Sequence, residues 1–200
     1  MDRTEFSSTL RSAILAGFAI GIGGCANLSL QGGIPGAVLF TIGLLTVVHY
    51  RFALFTGTAG FYKRKEETKL LVILLGNILG CLLLGLLSRC AALPLEERAQ
   101  AIIQARLDNG PLNCFVLSIG CGFLMTTAVQ FGREGRFLPL LFAVPAFIIC
   151  GFPHCIADAY YLLTAPVDFI CANILPILIF YVSIVLGNFV GCNIKRWVLP

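Results

Sequence analysis

His49 and His154 are the two side chains of this 200-residue sequence whose unperturbed titration lies close to neutral pH. His154 follows Pro153 in the largely apolar stretch Gly151-Phe152-Pro153-His154-Cys155. Proline has no backbone N–H and cannot continue a helix without a break or kink. A histidine on an interrupted apolar helix is expected to face a bundle interior or a solute pathway. Its plainer role is that of a neutral ring bonded to a backbone carbonyl. His49 stands beside Tyr50 and Arg51 near a predicted helix end, which reads as a surface or interfacial position. Leu54-Phe55-Thr56-Gly57-Thr58 is a second uncharged segment with hydroxyls and glycine, and residues 52–62 are expected to form a re-entrant loop. Both breaks expose half-helix ends, whose N-termini attract anions.

Catalytic sets are missing, so no enzyme is expected. No pair of carboxylates lies within an apolar run, and no Ser-His or HExxH arrangement occurs. Two histidines could ligate one haem, but their predicted depths differ. The nine cysteines, at positions 25, 81, 90, 114, 121, 150, 155, 171 and 192, form no CxxC pair. They suit neither a disulfide scaffold nor a zinc site. In apolar helices they act as small hydrophobes, and so many free thiols fit a reducing setting. No cofactor and no metal site are expected.

The elements that position these residues follow from composition. Hydrophobic residues make up 58% and charged residues 12%, with a mean hydropathy of +0.92. Soluble domains carry about 25% charged residues. Residues 12–50, 70–88, 109–132, 137–157 and 169–194 contain no Asp, Glu, Lys or Arg. A bilayer core needs about 20 apolar residues in a helix. Gln31-Gly32-Gly33-Ile34-Pro35-Gly36 divides the first run with a turn. The result is an all-α integral membrane protein with six transmembrane helices, at roughly 10–30, 35–50, 68–90, 111–131, 137–152 and 170–194. Residues 1–200 form a single transmembrane domain. The first stretch is long, lacks a small-x-small cleavage site and is followed by further spans, unlike a cleaved signal peptide. The net charge of +4 comes without a basic face interleaved with aromatics, so no nucleic acid is a partner.

Lys and Arg set the orientation. With a cytoplasmic N-terminus, Arg3, Arg11, Lys63, Arg64, Lys65, Lys69, Arg133, Arg136, Lys195 and Arg196 fall inside. Arg89, Arg98 and Arg106 fall outside, beside Glu96, Glu97 and Asp108, and Arg51 lies near a helix end and is unassigned. Asp158 and Asp168 are expected in an external fifth loop without cations. This positive-inside bias places both termini in the cytoplasm, in a multi-pass cytoplasmic (inner) membrane protein.

The chain also repeats itself. Gly76-Asn77-Ile78-Leu79-Gly80 and Gly187-Asn188-Phe189-Val190-Gly191 both read G-N-x-x-G, 111 residues apart. Three spans per half send the second half in from the opposite side. Residues 1–95 and 105–200 are thus expected as aquaporin-like inverted three-helix repeats with interrupted helices. Gly76, Asn77, Gly80, Gly187 and Gly191 are expected to bring helices close together. An Asn within a span must also find a hydrogen-bond partner.

These residues resemble the formate/nitrite transporter family, which includes hydrosulfide channels. The likeness runs from about residue 12 to 194. It is most specific at Leu54-Phe55-Thr56, at Gly151-Phe152-Pro153-His154-Cys155-Ile156-Ala157-Asp158, where the family reads G-F-E-H-S-x-A-N, and at the paired G-N-x-x-G segments. The resemblance implies six spans in an aquaporin-like protomer, a homopentamer with one pore per protomer, and transport of a small weak-acid anion with a proton across the lipid bilayer. It implies that Phe40, Leu44 and Phe147 narrow the pore, that Leu54 and Phe55 flank it, and that Thr56 faces its centre. It makes His154 the central histidine, puts Thr126 where relatives carry a pore-lining asparagine, and makes Asn188 the asparagine of span six. Pro153 and Asp158 depart from the family pattern. The family lysine before span four is replaced near Gly110, with Arg106 the nearest cation.

The implied function is a passive or proton-coupled channel for formate, nitrite, hydrosulfide or a similar anion. A small anion is costly to bring into a dry apolar constriction and its neutral acid is not. A histidine between two phenylalanine constrictions suits protonation on the way. The alternative is an aquaporin-like pore for small neutral solutes, which would carry paired Asn-Pro-Ala boxes that this sequence lacks.

Overall fold

The computed structural model describes residues 1–63 and 65–199; Arg64, one of the basic residues counted above, lies outside them. The described residues form only helices and their connections: α1 (Arg3–Ser29), α2 (Gly33–His49), α3 (Phe55–Thr58), α4 (Glu67–Cys90), α5 (Glu96–Arg133), α6 (Leu140–Ile149), α7 (Cys155–Thr164), α8 (Val167–Ala172) and α9 (Ile174–Val198).

Local chemistry sets the boundaries. The Asp2 carboxylate caps α1 by accepting from the Glu5 N–H at 2.7 Å. The predicted turn between the first two spans is present, with Gly32 and Gly33 at φ of 77° and 72°. Helix α5 begins at Glu96, well before the expected start of span four. It turns at Gly110 (φ 71°) before Pro111, so residues 96–109 form a separate helical arm. Proline opens the second piece without loss, because an N-terminal N–H has no intrahelical partner.

Among the described residues four helices, α1, α4, α5 and α9, are long and apolar enough to cross a membrane. The expected spans two and five are shorter, with 17 residues in α2 and 10 in α6. At 1.5 Å per residue α6 is about 15 Å long, roughly half a hydrocarbon core. The run 137–152 is therefore an interrupted helix. It stops at Ile149 and resumes as α7 at Cys155.

The most extensive contacts are α1 with α4 and α5 with α9. Small residues make them possible. A Cβ on Gly80 would collide with the backbone of Ile14 and Phe18, and one on Gly191 with the backbone of Ile119. The opposite faces are apolar and exposed, with Leu71, Leu75, Leu79, Leu83 and Leu86 on α4 and Leu175, Leu178, Val182 and Leu186 on α9. An apolar exterior of this kind belongs against lipid or another apolar surface.

Charged contacts gather at the two ends. Lys69 pairs with Glu5 at 2.9 Å, Lys195 reaches Gln130 at 3.0 Å and Arg196 donates to the Tyr62 carbonyl at 2.8 Å. At the other end Arg89 pairs with Glu96. Asp158 is not in a loop as expected. It is buried on α7 and pairs with Arg106 at 3.1 Å. A lone aspartate could not be buried at that depth, and the guanidinium from the 96–109 arm makes it tolerable.

Candidate functional site

Two chain breaks meet at the centre of the bundle. In the first, α2 ends, Arg51 takes φ of 56°, and the chain re-enters as the single turn α3. The expected re-entrant loop thus contains one helical turn. In the second, α6 ends, Gly151 takes φ of 69°, and α7 starts after His154.

Each break is held by one asparagine. Asn77 Oδ1 accepts from the Phe55 N–H at 2.9 Å, and its Nδ2 donates to the carbonyls of Ala13 and Ala53. Asn188 Oδ1 accepts from the Cys155 N–H at 2.8 Å, and its Nδ2 donates to the carbonyls of Ser118 and Pro153. Both amides satisfy backbone groups that a broken helix leaves orphaned, which is why a fully buried Asn is tolerated. Gly17 and Gly122 admit them, since a Cβ on either would collide with the backbone of Asn77 or Asn188.

Two thiols tie the breaks together. Cys81 Sγ donates to the carbonyls of Gly17 and Ile156, and Cys192 Sγ to those of Gly122 and Thr56, all at 3.4 Å. Each cysteine lies four residues after its asparagine and reaches the first turn of the opposite break. The cysteines are therefore small buried donors here, beyond mere apolar filling.

The polar centre is the contact between Thr56 and His154. Thr56 Oγ1 lies 2.9 Å from His154 Nε2, and His154 Nδ1 accepts from the Ala157 N–H at 3.1 Å. An Nδ1 that accepts carries no proton. The neutral ring is therefore protonated on Nε2 and donates to Thr56. The Thr56 hydroxyl proton then has no acceptor among the described residues and can be given to an occupant. Thr126 Oγ1 donates to the Thr56 carbonyl at 3.2 Å, which fixes the turn from behind.

Apolar rings cover this centre. Phe40 and Phe147 meet edge to face with centroids 5.7 Å apart, and Phe147 stands 5.6 Å from the His154 ring. Phe40, Leu44, Leu54 and Phe55 are all buried. Leu44 bounds neither of the chambers described next.

A chamber lies on each side. One, of about 650 Å³, is bounded by Arg51, Leu54, Gly57, Val129 and Arg133. Arg133 donates to the Gly57 carbonyl at 3.0 Å and lies over the Phe61 ring. The other, of about 210 Å³, is bounded by Phe147, His154, Arg106, Asp158, Asn27 and Tyr161. His154 thus borders one chamber while Leu54 and Gly57, close to Thr56 in the chain, border the other. His49 is exposed at the rim of the larger chamber. Asn27 and Tyr161 are absent from the residues that the sequence pattern singles out. Asn27 carries the same signal as Asn77 and Asn188, an amide within an apolar run. Among the described residues no cluster of His, Cys, Asp and Glu could hold a metal ion.

Comparison with known proteins gives a consistent likeness. A family model described as Formate/nitrite transporter matches residues 2–198. The uncharacterized transporter YrhG of Bacillus subtilis (strain 168) is 27% identical over 96% of this chain and 78% of its own length. Among solved structures, a pentameric formate channel with formate bound superimposes with a TM-score of 0.85 at 23% identity, covering 99% of this chain and 96% of that one. An FNT family ion channel superimposes with a TM-score of 0.82 at 19% identity, covering 96% and 90%.

Proposed function

The chain belongs to the formate/nitrite transporter family, and from that premise we propose that it carries a small monovalent weak acid such as formate, nitrite or hydrosulfide through the path between its two chambers. It is a membrane transporter or channel rather than an enzyme. The observation that carries the substrate reading is the Thr56–His154 contact, the polar link enclosed by Phe40, Phe147 and Leu54. An anion arriving there meets one available donor, the Thr56 hydroxyl. The two chambers share no lining residue, and an anion crossing the buried apolar side chains between them would shed its water at a cost of several kcal/mol. Taking up a proton first removes most of that cost.

The ring geometry supports water as the source of the proton. His154 as it stands is neutral, and a proton on Nδ1 would displace the Ala157 bond that caps α7. The ring polarises Thr56 and Thr56 holds the solute, while the proton arrives from the chamber. Phe40 and Phe147, whose rings meet, form one apolar constriction beside His154 rather than the two phenylalanine constrictions expected around it, and Leu44 narrows the same path. Leu54, Phe55 and Thr126 shape the turn that presents Thr56. Asn188 serves the path through the break that it holds.

Six membrane crossings, with residues 1–95 and 105–200 as inverted repeats, are supported by the matched bonds of Asn77 and Asn188. Grouping of the Lys69, Lys195 and Arg196 contacts at one end supports cytoplasmic termini and makes the Arg133 chamber the inner one. The exposed leucine faces of α4 and α9 support assembly of several copies in lipid, and the pentamer named for the formate channel is the form we propose.

The test is flux into proteoliposomes of formate, nitrite, lactate, hydrosulfide, chloride and glycerol, with and without an inward proton gradient. Weak-acid uptake raised by the gradient is expected. Glycerol uptake without any weak-acid uptake would replace this reading with a neutral-solute pore.

A further inference from the structure

The two matched cysteines differ in what they hold. Cys81 Sγ reaches the carbonyls of Gly17 and Ile156, which lie inside α1 and α7. A carbonyl within a helix already accepts from the N–H four residues on, so this thiol is a second donor to groups that have one. Cys192 Sγ reaches the carbonyls of Gly122 and Thr56. Gly122 lies inside α5 and is satisfied in the same way. Thr56 differs, because its helix stops at Thr58. Of the carbonyls there, Phe55 accepts from the Ala59 N–H and Thr58 from the Phe61 N–H, and among the described residues no main-chain N–H reaches Thr56. Its donors are two side chains, the Thr126 hydroxyl at 3.2 Å and the Cys192 thiol at 3.4 Å. A buried carbonyl without a main-chain donor loses most when a side-chain donor is withdrawn.

The rest of this turn hangs from the same two helices. Arg133 of α5 donates to the Gly57 carbonyl at 3.0 Å. Asn193 and Arg196 of α9 donate to the carbonyls of Ala59 at 3.1 Å and Tyr62 at 2.8 Å. Gly60 lets the chain come this close, since a Cβ there would collide with the Cys192 carbonyl and the Thr126 side chain. The turn that presents the Thr56 hydroxyl to His154 is therefore held from α5 and α9, by side chains more than by a helical ladder of its own.

We infer that Cys192 is a positioning residue for transport. Its thiol and the Thr126 hydroxyl jointly fix the Thr56 carbonyl, and through it the place of the Thr56 hydroxyl on the solute path. Cys81, at the matching position, has no such role. The inference rests on the reading above that Thr56 holds the solute, and it adds what holds Thr56.

Five full-length proteins in proteoliposomes test it: wild type, Cys192→Ala, Thr126→Val, their double variant and Cys81→Ala. The readout is formate uptake under an inward proton gradient, per assembled protein. Cys192→Ala and Thr126→Val each leave the carbonyl one donor and should slow uptake about threefold, whereas the double variant leaves none and should slow it about a hundredfold, well beyond the product of the two. Cys192→Ala should also raise the half-saturating formate concentration, which a merely loosened bundle does not do. Cys81→Ala removes the same atom from an equally buried position and should keep the wild-type rate. Independent effects in the double variant, an unchanged half-saturating concentration, or equal loss of uptake in Cys81→Ala each overturns the inference. The infrared S–H stretch gives a check that leaves Cys192 in place. In Thr126→Val the thiol no longer shares the Thr56 carbonyl, so one component of that band should move to lower frequency, and an unmoved band overturns the inference as well. Absence of formate uptake by wild type would remove the transport reading, and the inference with it, whatever the band does.

Discussion

The two chain breaks share a backbone and differ in their side chains. Arg51-Phe52-Ala53-Leu54-Phe55-Thr56 and Gly151-Phe152-Pro153-His154-Cys155-Ile156 have the same skeleton. Phe52 N–H returns to the Val47 carbonyl and Phe152 N–H to the Phe147 carbonyl, both at 2.9 Å. Leu54 and His154 take the same extended N-cap conformation. Asn77 and Asn188 hold them by equivalent bonds, and Cys81 and Cys192 cross-link them. Only the second break carries an imidazole at the cap, and it runs on for ten residues where the first makes a single turn. The backbone-holding bonds occur in duplicate, and the polar side chains at the centre are divided between the breaks. One break supplies the ring, and the other supplies the hydroxyl that the ring orients.

The scaffold half of this comparison makes the largest predictions. Gly17→Leu and Gly122→Leu each drive a side chain into the backbone of the neighbouring asparagine. Both should abolish the folded assembly in detergent, read as loss of its size-exclusion peak. A variant that assembles normally would show that its half does not depend on close approach. Next come Asn77→Ala and Asn188→Ala. Each strands several buried backbone groups at about 1–3 kcal/mol apiece. Thermal midpoints should fall by similar, large amounts, and a fall in only one would break the equivalence of the two scaffolds.

The chemical half predicts the opposite pattern, loss of activity with little loss of fold. His154→Leu makes the second cap copy the first. It removes the bonds to Thr56 and to the Ala157 N–H. Loss of the cap bond costs about 1 kcal/mol of stability, but weak-acid flux should drop at least about tenfold, a barrier change of about 1.4 kcal/mol. His154→Phe should do the same. Normal flux in assembled protein from either variant would return the histidine to a structural role.

How much of this was legible in the sequence depends on distance along the chain. Gly and Pro mark both breaks locally, and the G-N-x-x-G repeat marks their holders, because one short motif does the same job twice. Thr56 and His154 could be singled out by type, but 98 residues separate them. Their hydrogen bond follows only from packing of the two breaks. Asp158 was misplaced for a physical reason. An acid after an apolar run reads as a loop residue unless its cation is known, and Arg106 comes from an arm 52 residues away. That arm was itself hidden, because its polar residues carry none of the hydropathy that identifies a span. The expected span 35–50 agrees with α2 to within two residues at each end, whereas α6 is shorter than 137–152 for the converse reason, since an uncharged break is as apolar as the helix it interrupts.

The smallest effect separates backbone strain from side-chain chemistry at one matched position. Arg51 and Gly151 share the left-handed conformation, at φ of 56° and 69°. That region costs a side chain about 1–2 kcal/mol and costs glycine nothing sterically. At Gly151 a Cβ would meet no atom within 4 Å, so Gly151→Ala should lower stability through the backbone alone, by about 1 kcal/mol. Arg51→Gly relieves the same strain but adds freedom to the unfolded chain, worth about 0.5–1 kcal/mol. Its net effect should be a gain of under about 1 kcal/mol. Opposite signs in the two thermal midpoints, with flux retained in Gly151→Ala, would show that the turn is a backbone requirement common to both breaks. A stability loss in Arg51→Gly matching that of Gly151→Ala would mean that the arginine side chain at the rim of the larger chamber holds the first break in place, and that the two scaffolds are less alike than their dihedral angles.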